Sequence, residues 1–185
     1  MSNYYAQAVS RQEMRQLAYF IRKHFGYLDV WMIPVDRLLD QMCEIFEDFS
    51  YEIVPDEEWD DPSAHAVTDI NAHTIRIKES IFIRACDGKG RDRMTIAHEI
   101  AHYILICVVG VNLYSCRDKK IEPYNDPEWQ AKCLAGELLI PYYKLKKRRR
   151  KPSADQLTSL CGVSPDAAKY QLKFVKGGDQ SDCQK

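Results

Sequence analysis

A chain of 185 residues is long enough for one domain with a proper core, which excludes a small scaffold held by disulfide staples. With 45% hydrophobic and 29% charged residues it is not disordered over its whole length, and no apolar run approaches the ~18 residues of a membrane span. The formal net charge of −1 conceals a division, since residues 141–185 carry 11 Lys/Arg against 4 Asp/Glu and residues 1–140 carry 15 against 23.

Ser10 and Glu13 form a capping-box pattern, and Met14, Leu17, Ala18, Ile21 and Phe25 then recur at helical spacing up to Gly26, which predicts an amphipathic helix. A second helix is expected from Pro34, with Val35, Leu38, Leu39, Met42 and Phe46 on one face, stopping near Ser50. There the pattern changes. Tyr51 to Val54 reads as a strand, 55–62 as an acidic loop, and His65 to Ile70 with Thr74 to Lys78 as a hairpin turning around Asn71 and Ala72. Beyond Gly88 and Gly90, Asp92 is the expected cap of a helix running through Ile96, Ile100 and Ile104 to about Gly110.

Asp126-Pro127 opens a helix that carries Ala131, Leu134, Ala135 and Leu138 and ends at Pro141. Ser153 and Gln156 form another capping box for a helix ending at Gly162, and Ser164-Pro165 starts the last one, through about Val175. A loose tail is expected from Gly177. These elements divide one compact unit into N-terminal helices (1–50), a core (51–141), a basic segment with a helical pair (142–176) and the tail (177–185). Seven cysteines without a C-x-x-C pair point to free, mostly buried thiols. The opening MSNYYAQAVSRQEMRQ lacks the basic-then-apolar order of a signal peptide, so a cytoplasmic location and no membrane partner are expected.

The most informative residues are His98-Glu99-Ile100-Ala101-His102, inside a predicted helix. Positions i and i+4 share a face, so both imidazoles can meet one cation, and Glu99 is displaced around the helix to where a general base would stand. Two histidines and a glutamate can also share a helix by chance. Here the flanks are apolar, Met94, Ile96 and Ala97 on one side and Ile104 to Val109 on the other, and histidines on a buried helix need partners that a metal supplies. Zinc accepts such nitrogens and keeps a position for water beside three protein ligands. Glu128, in the first turn of the next long helix, is the favoured third ligand, although an acid there also suits the helix dipole; His65, His73 and Asp126 compete.

Two blocks, Met94 to His102 and Asp126 to Pro141, resemble the ImmA/IrrE metallopeptidases, together with the preceding hairpin and Leu157 to Ala168, over about residues 30–175. The resemblance implies an α+β fold with a zincin-like core: a small antiparallel sheet, an HExxH helix, a third-ligand helix and a C-terminal helix-turn-helix-like pair. It also implies a zinc endopeptidase, with manganese as the other ion such a site accepts, in which His98, His102 and Glu128 are ligands and Glu99 the catalytic base. The implied substrate is a helix-turn-helix repressor encoded nearby, in mobile-element or stress regulation. Two positions depart from the family, Leu134 for its usual Phe and Lys132 for its usual Asn or Asp. A carboxylate at the latter orients a ligand histidine in thermolysin-like sites, so Lys132 supports an alternative: a weak or inactive metal-binding regulator that acts on DNA or a repressor through its basic C-terminal segment. Tyr124, Tyr142 and His73 are candidate oxyanion stabilisers.

Lys144 to Lys151 holds seven basic residues in eight, read either as a solvated helix end or as a docking patch, Lys146, Lys147, Arg148, Arg149 and Arg150, for phosphate or acidic protein. Leu157 to Ala168 has helix-turn-helix spacing. Yet Asp166, Ala167 and Ala168 offer few base-reading donors where contacts normally sit, so DNA is the lesser expectation.

Overall fold

The computed structural model describes residues 4–115 and 121–176. Where the sequence carries a cap, the helix begins at it. Helix α1 (Arg11–His24) starts from Ser10, whose hydroxyl accepts from the Glu13 amide while Glu13 returns the bond to the Ser10 amide. After α2 (Val35–Ile45), which is shorter than the expected span to Ser50, come β2 (Ser50–Val54), β3 (Ala66–Asp69), β4 (Thr74–Lys78) and α3 (Glu79–Cys86). Helix α4 (Gly90–Tyr103) passes into one π-helical stretch, Ile104–Val108. Asp92 is not its cap. The helix begins two residues earlier, and Asp92 instead pairs with Arg84 at 2.8 Å.

Two short strands, β1 (Tyr4–Ala6) and β5 (Leu113–Ser115), pair antiparallel, and α5 (Pro127–Leu139) follows with Asp126 as its cap. The C-terminal helices are α6 (Tyr142–Lys147), α7 (Ala154–Cys161) and α8 (Pro165–Lys176). The second capping box is formed at Ser153 and Gln156, and Gly162 ends α7 with φ of 61°, a left-handed conformation that suits glycine. The expected tail at 177–185 lies outside the described residues.

The α+β class holds, with one correction to its sheet. The hairpin β3–β4 is antiparallel as expected, but β2 lies on the other side of β4 and runs parallel to it, giving the order β2-β4-β3. Alternating side chains state which face is buried and say nothing of strand direction, so an antiparallel sheet throughout was not secured by the pattern. The turn between β3 and β4 is closed by Asp69, whose carboxylate accepts from the amides of Asn71 and Ala72.

The core runs between sheet and helices: Ile75 and Ile77 of β4, Ile96 and Ile100 of α4, Leu134 and Leu138 of α5, and Met14 and Ala18 of α1 are buried together. Each large side chain among them contributes about 1.5–3 kcal/mol. Helix α4 packs chiefly on α5 and α3, and α1 lies along α5. Two buried guanidiniums satisfy carbonyls of loops and helix ends in this core. Arg22 donates to Leu138 O at 2.7 Å and to Val30 and Trp31, while Arg93 donates to Gly162 O and Ile33 O, both at 2.7 Å. The cysteines are less buried than expected: Cys133 and Cys161 are buried, Cys107 half-buried, and Cys43 and Cys86 exposed. Burial pushes the Cys161 thiol up to about 12. Cys116 and Cys183 lie outside the described residues.

Gly90, read from sequence as loop punctuation, is the first residue of α4 and marks a close crossing of chains. A Cβ there would stand 2.7 Å from Val163 Cα and nearer still to the Val163 carbonyl carbon and the Ser164 nitrogen, backbone atoms that cannot swing aside. Gly90→Ala is therefore expected to destabilise by about 2–3 kcal/mol, lowering Tm by roughly 6–10 °C in a thermal melt.

Candidate functional site

The first motif residue to place is His98, which with His102 lies one turn apart on α4. Their Nε2 atoms stand 3.0 Å from each other, with the ring planes at 86°. Glu128 reaches them from the first turn of α5, Oε2 at 3.2 Å from His98 Nε2 and Oε1 at 3.4 Å from His102 Nε2. Asp126 sets that turn: its side chain accepts from the Glu128 amide at 3.0 Å. The packing of α4 on α5 is what brings the three donors together, from residues far apart in the chain.

Whether such a set suits a metal can be judged from its spacing. Ligands ~2.0–2.1 Å from one tetrahedral zinc stand about 3.3–3.4 Å apart, and the observed separations of 3.0, 3.2 and 3.4 Å are close to that. Two imidazoles and a carboxylate are also a common donor set for a catalytic ion with a remaining open position. The residues therefore fit a divalent cation. The hydrogen bonds from His102 and His98 hold the Glu128 carboxyl well below the usual range, so it presents a full negative charge.

Glu99 points elsewhere on α4. It is largely buried, which raises its carboxyl above the ordinary value; the bond from Thr68 opposes this, with the nearby imidazoles contributing in the same direction. Thr68 Oγ1 donates to Glu99 Oε2 at 2.8 Å. The alternation along β3 explains the contact: Ala66 and Thr68 face inward while Val67 is exposed. Thr68 was not a sequence candidate. Strand alternation could place it on the inner face, but only the seating of β3 against α4 brings it to Glu99.

His98, Glu99, His102, Glu128 and Thr68 line one open cleft of about 330 Å³, whose other walls include Tyr4, Ile70, Ile106 and Leu113. The remaining sequence candidates do not line it. His73 sits at the head of β4 against the Tyr103 ring, at 6.0 Å between centroids. Tyr124 is in a short 3-10 turn, where its carbonyl accepts from Val9 N and Gln130 Nε2. Tyr142 opens α6 beneath the Arg15 guanidinium at 3.7 Å. Lys132 is exposed on α5, His65 precedes β3, and Asp126 serves as the cap. The basic patch begins in α6, beyond the C-terminal end of α5 and so away from the cleft.

No helix among the described residues is long and apolar enough to cross a membrane. No curated protein matches the chain. Among solved structures it is similar to a Mycobacterium tuberculosis transcriptional regulator, with a TM-score of 0.58 and 15% identity over 91% of this chain and 48% of that one. At that identity the likeness is one of fold, and this chain spans about half the length of the other. The family profile of the IrrE N-terminal-like domain matches residues 58–173, which takes in the hairpin, both helices of the cleft and the C-terminal pair. A match of that extent places the chain in the M78 peptidase family, as a member carrying the IrrE N-terminal-like domain.

Proposed function

We propose that this chain is a zinc-dependent endopeptidase whose substrate is a helix-turn-helix transcriptional repressor encoded nearby. The observation that carries the reading is the placement of a half-buried Glu99, outside the convergent donor set, beside His98, His102 and Glu128 in one open cleft. What a bound zinc or manganese ion supplies there is Lewis acidity, for acidifying water and polarising a carbonyl. His98, His102 and Glu128 would hold the ion. Glu99, with its carboxyl raised by burial and its Oε2 fixed by Thr68, takes a proton from the attacking water and returns it to the leaving amine.

The cleft also supports a peptide as the substrate class. Strand β3 is at the end of its sheet, so its outer edge can pair with an extended chain laid across the cleft. Ile70, Ile106 and Leu113 offer an apolar seat for a side chain next to the scissile bond. The repressor as the specific substrate rests on the resemblance to the ImmA/IrrE peptidases.

The test combines metal content with cleavage of the repressor encoded beside this chain. About one divalent ion per chain is expected, with cleavage lost on chelation and restored by zinc. Cleavage indifferent to chelation, or no bound metal, would overturn the reading. Thr68→Val, which keeps the shape and removes the hydroxyl, is expected to lower kcat about tenfold with metal content unchanged, and Thr68→Ser to restore most of it.

A further inference from the structure

Lys144 to Lys151 is a dense run of cations, of which Lys144, at its start, lies within reach of the Asp29 charge. Some basic side chains elsewhere find carboxylates, Arg11 and Arg15 on Glu137, Arg76 on Glu52, Lys78 on Asp56 and Arg84 on Asp92, and what sets this run apart is its density of charge. Among the described residues, no ion pair forms at any of the seven basic residues of this run. Lys146 to Arg150 are exposed.

The run also borders a concavity. Arg148, Arg150, Lys151, Ser153 and Gln156 line a pocket of about 600 Å³. The capping box of α7 engages both oxygens on that wall, since Ser153 Oγ accepts from Gln156 N at 3.2 Å and Gln156 Oε1 accepts from Ser153 N at 3.0 Å. A hydroxyl hydrogen and an amide NH2 stay available there as donors. Lys151 commits one N–H to the Leu145 carbonyl, and Arg148 lies over the Trp31 ring at 5.0 Å, which leaves the edge of its guanidinium to donate. No carboxylate lines the pocket.

We propose that this pocket binds phosphate groups of a nucleic-acid backbone, without reading sequence. Two guanidiniums, an ammonium, a hydroxyl and an amide exceed what the two oxygens of one carboxylate can accept, and they match a phosphate, which arginine can grip through paired N–H donors. The exposed cations continue beyond the pocket through Lys146 and Lys147 of α6 and Arg149, so the surface suits a chain of phosphates better than a single one. Base readout is absent from the proposal, because the exposed start of α8 presents Pro165 and Asp166, and a carboxylate repels the backbone. Helix α5 is roughly 20 Å long and carries Glu128 at its far end, and the basic pocket shares no lining residue with the cleft, so the site is independent of the peptidase reading.

Fluorescence anisotropy with a labelled duplex of about 20 bp and arbitrary sequence, read from about 50 to 200 mM salt, tests this. Binding should weaken steeply with salt and be equal for an unrelated sequence. The triple variant Arg148→Gln, Arg150→Gln, Lys151→Gln should lose at least about tenfold in affinity and flatten the log–log salt slope by roughly 2–3, with its circular dichroism spectrum at the assay temperature unchanged. No binding at the lowest salt, or an unchanged slope in the variant, overturns the proposal. Poly-glutamate displacing the duplex as effectively per charge would assign the surface to acidic protein instead. A melting temperature raised by inorganic phosphate without any duplex binding would assign it to a small phosphate ligand.

Discussion

Replacing Glu99 by glutamine is expected to remove peptide cleavage by a factor of about 10²–10⁴ while leaving the fold and the metal content as they were. Glutamine has the shape of glutamate and its carbonyl can still accept the bond from Thr68, now 2.8 Å from Oε2, so β3 stays seated on α4. What the amide cannot do is take up a proton. The three donors that converge are on His98, His102 and Glu128, and Glu99 is not among them, so metal affinity should be indifferent to the change. His98→Ala is the informative contrast. It should lose cleavage together with the ion, because two donors remain of a set that spans 3.0 to 3.4 Å. Equal cleavage by Glu99→Gln and the parent would show that another group takes the proton. Loss of metal in Glu99→Gln would show that Glu99 is a ligand.

That expectation could be framed from sequence because the motif is local. His98 and His102 meet by helical period alone, and Asp126 with Pro127 announces the turn that presents Glu128. Both capping boxes were legible for the same reason: the partners are three residues apart. Features made by distant segments were not. Strands β1 and β5 are three residues each and pair with one another across more than a hundred residues, so neither has a pattern of its own. Helix α3 begins directly at the end of β4, where Lys78 provides no side-chain cap and no turn residue separates the two. Within Ile104 to Val109 every position is apolar or cysteine, so the widening of the helix to a π-turn leaves no trace in the hydrophobic pattern. The oxyanion candidates Tyr124, Tyr142 and His73 were chosen by residue type, and type does not say which side chains share a cleft.

The largest expected loss of stability lies at Glu137, a buried carboxylate on α5. Arg11 Nη1 approaches its Oε1 at 3.2 Å and Arg15 Nε approaches the same oxygen at 3.3 Å, with Glu137 itself wholly enclosed. The two arginines belong to α1 and also reach α8: Arg15 donates to the Phe174 carbonyl at 3.2 Å, and the Arg11 guanidinium lies 3.7 Å over the Phe174 ring. Burial drives the Glu137 carboxyl upward and the two arginines drive it down, so the carboxylate depends on both. Glu137→Leu takes the carboxylate from the buried Arg11 and the half-buried Arg15 and should cost about 3–5 kcal/mol, seen as a lower urea midpoint at unchanged m-value. Adding Arg11→Met and Arg15→Met removes the two cations as well. Most of the loss should then return, since a buried ionic cluster exchanged for apolar groups of similar volume is often close to neutral. A neutral Glu137→Leu would mean that the arginines find water or other acceptors without it. The cluster also bears on the cleft, because the helix it clamps carries Glu128 at its other end. Glu137→Leu should therefore weaken metal binding as α5 loosens, through a residue that touches no ligand, whereas Glu99→Gln, adjacent to a ligand, should not.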